Sequence, residues 1–184
     1  MKNERVVVYI DGGNTYRALK NINAFDGIRK FSYLDFVNFI VGDRILISKR
    51  YYIGIVKNHD NTAKGEQMVK DQQKHLEGLR TDGFEVKNGK IMYDSGAIRE
   101  KGVDVKIAVD LVVGAADNLY DTAIVISSDT DLIPAVKYVK GAKGKKVEYI
   151  SFGQRISIAM VKECSSTRTF IDGDIVDFKI EKTK

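Results

Sequence analysis

The 184-residue sequence contains one cysteine, two histidines and no long hydrophobic run. A single cysteine, Cys164, excludes an internal disulfide, so nothing in the sequence requires an oxidising compartment. The apolar run from Val6 to Ile10 is too short for the core of a signal peptide or for a membrane span. We therefore expect a cytoplasmic protein that does not associate with membranes.

Internal repeats, low-complexity segments and linkers are also absent from the sequence. The length is that of one domain, and 43% hydrophobic residues supply enough apolar surface for a core. We therefore predict a single domain over residues 1–184, with its core at about residues 5–172.

Short β-branched runs alternate along the chain with segments of helical periodicity. The runs predict strands at Val6–Ile10, Ser48–Val56, Thr122–Ile126, Val147–Ser151 and Thr169–Ile171. The periodic segments predict helices from Asn14, after a Ser32 cap, and at Glu66–Arg80, Val103–Ala116, Ile133–Lys140 and Ile156–Glu163. Continuous hydrophobic strands that alternate with helices indicate a doubly wound α/β sandwich with a mainly parallel sheet.

Two local patterns predict further detail. An Asn88-Gly89 pair lies between short apolar runs in Phe84–Tyr93 and predicts the turn of a β-hairpin, with its strands near a sheet edge. The helix at Val103–Ala116 is predicted to have a broad apolar face, formed by Val105, Ala108, Val109, Val112 and Val113.

Acidic residues follow two of the predicted buried strands directly. The first strand runs into Asp11, and Thr122–Ile126 runs into the segment 127–131, which contains Asp129 and Asp131. In open α/β sheets, ligands bind beyond the carboxyl ends of the strands, where the chain order reverses. We therefore expect these carboxylates to converge in one crevice. Asp104 lies on the inward stripe of its predicted helix and adds a further carboxylate.

Clustered carboxylates repel one another, and a bound cation is the simplest remedy. Oxygen ligands without histidine or cysteine select Mg²⁺ or Mn²⁺, which can activate water and orient a phosphodiester. Taken singly, each aspartate also fits a structural role: Asp11 in a turn, Asp104 at a helix start, and Asp129 or Asp131 as a helix cap. Their joint placement favours a shared metal site for phosphodiester hydrolysis.

Other polar residues beside these motifs are candidate contacts for substrate. Asn14 fits either a substrate contact or a helix cap. Asp110 lies six residues past Asp104 and reaches the crevice edge or faces a polar neighbour. The hydroxyls of the segment 127–131 suit phosphate contacts, with solvated turn residues as the alternative. The candidate substrate-binding residues are Asn14, Asp110, Ser127, Ser128, Thr130, Arg17 and Lys101.

Three motifs together resemble the NYN domain, in particular its LabA-like branch: Asp11-Gly12-Gly13-Asn14, Lys101-Gly102-Val103-Asp104 followed by Asp110, and Ser127-Ser128-Asp129-Thr130-Asp131. NYN domains belong to the PIN-like nuclease superfamily. The resemblance implies a Rossmann-like three-layer α/β/α sandwich and a metal-dependent ribonuclease site. By the same resemblance, Asp11, Asp104, Asp129 and Asp131 are catalytic carboxylates that bind Mg²⁺ or Mn²⁺. Ser128 stands where the family often has glycine, a departure that bears on substrate choice.

Two rival functions fit parts of the sequence. A net charge of +5 leans towards an anionic partner, and an RNA-binding or regulatory module with little catalysis would use basic residues 137–146 together with Arg17, Lys20, Arg29 and Lys30. Asp129-Thr130-Asp131 also resembles the nucleophile motif of aspartate-nucleophile phosphatases, although too few residues follow it for that fold. We expect single-stranded RNA as the favoured partner, and the sequence leaves homo-oligomerisation open.

Overall fold

A computed structural model describes residues 3–20, 31–58, 61–94, 97–153 and 156–180. Within these ranges the chain forms a seven-stranded sheet in the order β4-β3-β2-β1-β5-β6-β7. The strands are β1 Arg5–Asp11, β2 Ile45–Ile55, β3 Glu85–Asp94, β4 Ala97–Lys101, β5 Thr122–Ile126, β6 Lys146–Phe152 and β7 Ser166–Phe170. Neighbouring strands pair in parallel except β4, which runs antiparallel to β3 at the sheet edge.

Helices cover both faces of the sheet. They are α1 Gly12–Lys20, α2 Tyr33–Val41, α3 Ala63–Thr81, α4 Val103–Ala116, α5 Ile133–Gly141, α6 Ile158–Glu163 and α7 Asp172–Ile175. Helices α1, α2, α3 and α7 pack into one core, while α4, α5 and α6 pack into the other. The predicted three-layer α/β/α sandwich is therefore confirmed. In the described part of the chain, no helix combines the length and apolarity that crossing a membrane demands.

The central strand β1 contributes to both cores. Val6, Val8 and Ile10 point into the core beneath α1 and α2, whereas Val7 and Tyr9 point towards α4. Alternate side chains of a strand lie on opposite faces, so a sheet covered by helices on both sides needs an unbroken apolar strand. This requirement explains the continuous valine run that identified the strand in the sequence.

The hairpin predicted at Asn88-Gly89 is wrong in the position of its turn. Strand β3 passes through both residues without a break, paired in parallel with β2, and its antiparallel partner β4 begins only at Ala97. Gly89 serves a different purpose. A Cβ at this position would lie 2.5 Å from Val103 Cγ2, so glycine permits the close approach of α4 to the strand.

The apolar face predicted for α4 differs from the buried one. Val103, Ile107, Leu111 and Ala115 are buried against the sheet, at intervals of four residues. Of the five predicted residues, Ala108 and Val112 are partly buried, and Val105, Val109 and Val113 are exposed. The helix is apolar around most of its circumference, so hydrophobicity alone did not identify the side that faces the sheet.

The order of the strands reverses at the β1–β5 pair. From β1 the chain proceeds outward through β2 and β3, whereas β5, β6 and β7 follow on the other side. Ile10 pairs with Ile126, so the two strands end at the same level. The residues that follow them, and the start of α4, therefore meet at the carboxyl edge of the sheet, where the crevice of an open α/β sheet is expected.

Candidate active site

Asp11 is the last residue of β1 and is buried, with 6% of its surface exposed. Its Oδ1 accepts a hydrogen bond from the Asn14 backbone N–H and its Oδ2 accepts one from the Ser127 hydroxyl, both at 2.9 Å. Burial raises the pKa of Asp11, and repulsion from Asp129 adds to the rise, while Arg17 opposes it. The side chain is thus fixed in an environment that disfavours its negative charge.

The loop after β5 is tied to the same residues. The Asp129 backbone N–H donates to Ser127 Oγ at 3.2 Å, and the Ser128 N–H donates to Asn14 Oδ1 at 3.2 Å. Asp129 Oδ1 in turn accepts the Asp131 N–H at 3.0 Å and caps a short 3-10 helix at Thr130–Leu132. These bonds hold Asp129 beside Asp11, whereas Thr130 and Asp131 are exposed at the rim.

Tyr149 supports this loop from below and was not identified in the sequence. Its ring is fully buried on β6, and its hydroxyl lies 2.7 Å from Ser128 Oγ. The same hydroxyl accepts the backbone N–H of Ser157, the N-cap of α6, at 3.1 Å. The sequence shows Tyr149 as one more apolar strand residue, so no sequence signal distinguishes it.

Glu100 is a second residue that the sequence analysis missed. It lies on β4, and its Oε1 accepts a hydrogen bond from the Gly54 backbone N–H. A Cβ at Gly13 would lie 2.5 Å from Glu100 Oε2 and 3.7 Å from Asp11 Oδ1. The two carboxyl groups therefore face each other across Gly13, where a larger residue would collide with Glu100.

Electrostatic repulsion couples the carboxyl groups of Glu100 and Asp104. Burial of its carboxyl group raises the pKa of Glu100, and repulsion from Asp11 and Asp104 raises it further, with Arg17 opposing. More than a third of the residue remains exposed, so the carboxyl group borders the crevice and solvent. Glu100 directly precedes the Lys101–Asp104 motif, and this adjacency was the available sequence signal. The hairpin turn that was wrongly predicted at Asn88-Gly89 concealed this signal.

Asp104 lies in the first turn of α4, and Asp110 lies ~9 Å further along the helix axis. Asp110 Oδ2 accepts the Tyr52 hydroxyl at 2.7 Å and lies 3.6 Å from the Arg50 guanidinium. The Asp110 backbone carbonyl accepts the Tyr9 hydroxyl at 3.3 Å. The structure thus places Asp110 in a polar network between α4 and the sheet, whereas Asp104 is near enough to Glu100 for its charge to contribute to the raised pKa of Glu100.

The lysines at 137–146 lie mostly away from this crevice. Lys145 and Lys146 are at the beginning of β6, the opposite end of the sheet, where Lys145 contacts Asn118 and Asp121 and Lys146 contacts Glu4. Lys137 and Lys140 both contact Glu163 of α6. Arg17, exposed on α1, and Lys101, exposed just before α4, are basic residues close to the crevice. Arg29 and Lys30 lie outside the described residues.

The donor chemistry of the crevice fits a hard cation. Asp11, Glu100, Asp104 and Asp129 offer carboxylate oxygens, and none of the four forms a salt bridge with a side chain in the described ranges. No three histidine, cysteine, aspartate or glutamate side chains in those ranges are close enough together to form a complete metal site. Mg²⁺ usually retains several waters, so it can bridge carboxylates that are not yet in mutual contact.

Comparison with known proteins gives one family and one fold. The model of the NYN domain family matches residues 5–172. A solved protein of unknown function from Vibrio parahaemolyticus is 22% identical with a TM-score of 0.69, and the match covers 96% of each chain. At that identity the likeness shows a shared fold alone. A comparison with curated proteins gives no match.

Proposed function

The chain belongs to the NYN domain family, within the PIN-like nuclease superfamily, and from that premise we propose that it is a metal-dependent ribonuclease. The family indicates a nuclease-like ribonuclease function. The single observation that carries the proposal is that Asp11 and Glu100 face each other across Gly13 at the carboxyl edge of the sheet, with Asp129 tied to Asp11 through Ser127. Membership of the LabA-like branch, single-stranded RNA as substrate and a cytoplasmic location belong to this proposal.

In this proposal Mg²⁺ or Mn²⁺ is held by Asp11, Asp104 and Asp129, with Asp131 at the rim. Glu100 joins this set because its carboxyl group faces Asp11. Carboxylates whose negative charge is disfavoured by burial and mutual repulsion gain stability from a cation. When bound, the ion supplies a Lewis acid that polarises the phosphodiester and activates water.

The remaining residues hold this arrangement and receive the substrate. Asn14 and Ser127 each bond to both sides of the crevice and so fix the distance between β1 and the loop after β5. Arg17 and Lys101 supply positive charge for phosphate groups at the rim. Thr130 offers an exposed hydroxyl group at the rim, whereas the Ser128 hydroxyl bonds to Tyr149 and positions the loop.

The alternative is an RNA-binding or regulatory module of the same fold with little or no catalysis. It is supported by the absence of a complete metal site among the described side chains. Against it, a binder of phosphate gains nothing from four carboxylates at the carboxyl edge of the sheet. NYN membership favours phosphodiester hydrolysis over an aspartate-nucleophile phosphatase.

The test is cleavage of labelled single-stranded RNA with Mn²⁺ or Mg²⁺, beside a chelator, by the wild type and by Asp129→Asn. Asparagine caps helices as well as aspartate does, so this variant keeps the bond to the Asp131 N–H. We expect a loss of activity of at least about 100-fold, since even residues that only support metal ligands cost about 10- to 100-fold. Asp43→Asn, at an exposed aspartate just before β2, is the matched control and should retain full activity.

The outcome of this experiment distinguishes the metal-dependent nuclease from the RNA-binding module. Metal-dependent cleavage that disappears in Asp129→Asn and persists in Asp43→Asn supports the nuclease. A wild type that binds RNA without cutting it in either metal supports the binding module instead. Cleavage that is equal in all three proteins comes from a contaminating nuclease and removes the support for this site.

A further inference from the structure

Helix α1 presents three exposed side chains together on its outer side, an aromatic ring and two cations. Lys20 follows Tyr16 by four residues and Arg17 by three, spacings at which the side chains of a helix are neighbours. The helix contains no acidic residue, and neither cation forms a salt bridge within the described part of the chain. We refer to Tyr16, Arg17 and Lys20 as the α1 surface. It combines an aromatic ring with positive charge.

The α1 surface borders the acidic crevice. Side chains of a helix lean towards its N-terminus, so each one covers the turn that precedes it. For Tyr16 and Arg17 that turn contains Gly12-Gly13, which has no side chains to separate them from the crevice. A Cβ on the second of these glycines would lie 2.5 Å from Glu100 Oε2. The charge of Arg17 opposes the rise in pKa of both Asp11 and Glu100, so its guanidinium group lies near both carboxyl groups.

The ring of Tyr16 has no structural role in the described part of the chain. It is 42% exposed, and among the described residues it forms no aromatic contact, cation–π contact or side-chain hydrogen bond. Tyr138 on α5 is equally exposed, at 43%, but the ammonium group of Lys143 lies over its ring, 5.9 Å from the centroid. Tyr16 is therefore an open aromatic surface at the edge of a carboxylate site.

We propose that Tyr16 stacks on an unpaired base of the RNA, while Arg17 and Lys20 bind the phosphate groups on either side of that base. The inference rests on the proposed ribonuclease function and names the residue that selects single strands. Proteins that bind single strands combine a basic surface along the backbone with aromatic rings on which bases stack. In a duplex the bases are stacked on one another, so Tyr16 cannot reach their faces.

The spacing along α1 gives the strand a path. Tyr16 and Arg17 lie about one helical turn, ~5 Å, beyond the glycines at the crevice, and Lys20 lies one turn beyond Tyr16. The strand therefore leaves the carboxylates along α1. The base that stacks on Tyr16 belongs to a nucleotide beside the phosphodiester bond that is held at the carboxylates.

Binding of a fluorescein-labelled single-stranded RNA, measured by anisotropy in a chelator, tests the stacking without any dependence on catalysis. We expect Tyr16→Leu to bind about 5- to 150-fold more weakly than the wild type, which is the loss of one stacked base. Tyr16→Phe keeps the ring and should restore most of the affinity. Tyr138→Leu is the matched control, because Tyr138 is as exposed and lies beside a lysine, but on the other face of the sheet. It should bind like the wild type.

Two further measurements separate stacking from a general disturbance of α1. The affinity for duplex RNA should be the same in Tyr16→Leu and in the wild type, since paired bases do not reach the ring. The slope of log affinity against log salt concentration should also be unchanged in Tyr16→Leu, because this slope counts phosphate contacts. In Arg17→Gln it should become shallower by about 0.7.

Equal affinities of Tyr16→Leu and the wild type for the single strand overturn the proposal, as does an equal loss for the duplex. A wild type that binds no single strand overturns it as well. Should Tyr16→Leu fail to fold, RNA that contains 4-thiouridine is cross-linked to the wild type with ultraviolet light. An adduct at Tyr16 supports the stacking, and adducts only elsewhere in the chain overturn it.

This result is separate from that of the nuclease test. A wild type that binds single strands through Tyr16 but cuts no RNA in either metal removes the ribonuclease and leaves the stacking site. Metal-dependent cleavage together with unchanged binding by Tyr16→Leu removes the stacking site and leaves the ribonuclease.

Discussion

The Asp11→Asn substitution removes a buried negative charge while keeping the hydrogen bonds of the side chain. The amide oxygen takes over the bond from the Asn14 N–H, and the amide nitrogen donates to the Ser127 hydroxyl, which has a lone pair available. The number of bonds to Asn14 and Ser127 stays the same, but the buried Ser127 hydroxyl proton loses its acceptor, a cost of about 1 kcal/mol that removal of the buried charge opposes. Without metal at pH 7, we therefore expect the free energy of unfolding to fall by no more than about 1 kcal/mol, or to rise.

The dependence of the free energy of unfolding on pH shows whether the buried charge of Asp11 stabilises or destabilises the fold. Burial raises the pKa of Asp11 in the folded protein above its value in the unfolded chain. Between these two values the folded state binds more protons, so the wild type loses stability as the pH rises through this window. The asparagine variant has no such loss. Its stability relative to the wild type should increase from acidic to neutral pH.

Bound metal is expected to make the wild type more stable than Asp11→Asn. A site filled at 100 times its dissociation constant adds about 2.7 kcal/mol, which raises the melting temperature of a chain of this size by about 5 to 10 °C. Thermal melts in chelator and across a Mn²⁺ titration measure both effects. We expect Mn²⁺ to raise the melting temperature of the wild type by this amount and to raise that of Asp11→Asn only slightly. A variant that is several kcal/mol less stable in chelator, or that keeps the full Mn²⁺ shift, would refute this reasoning.

Three further predictions test neighbouring features. Gly13→Ala places a Cβ 2.5 Å from Glu100 Oε2, so the carboxyl group must move. We expect a free energy of unfolding within about 1 kcal/mol of the wild-type value but a smaller rise in melting temperature with Mn²⁺. An unchanged rise would exclude Glu100 from the site. The side-chain bond from Arg5 lowers the pKa of Asp121 to about 2, so its stabilisation exists above the unfolded value and disappears as the pH falls through about 2. Asp121→Asn should therefore cost about 1 kcal/mol in urea unfolding at pH 7 and less at pH 3, and an equal cost at both values would contradict this. Ser32→Ala removes the cap of α2, which accepts the Asp35 N–H at 3.3 Å, and should cost about 1 kcal/mol in the same assay; no cost would mean that the cap is dispensable.

The sequence by itself determined the layers of the fold and the elements that carry the acidic motifs. Buried strands and amphipathic helices are local patterns, so the apolar run before Asp11, the Ser32 cap and the helix Val103–Ala116 could each be identified within a short window. The rule that ligands bind at the switch point then placed Asp11 and Asp129 at the same edge of the sheet.

Tertiary structure alone decided which other groups meet these aspartates. Glu100 reaches the site because β4 pairs with β3 and its carboxyl group bonds to Gly54, 46 residues earlier. Gly89 resembled a turn residue because the close approach of Val103 and the sharp bend of a hairpin favour the same amino acid. The outward side of α4 was equally hidden, since a helix that is apolar around most of its surface does not reveal which side packs on the sheet. These properties depend on contacts between distant segments, and a local sequence pattern contains no information about such contacts.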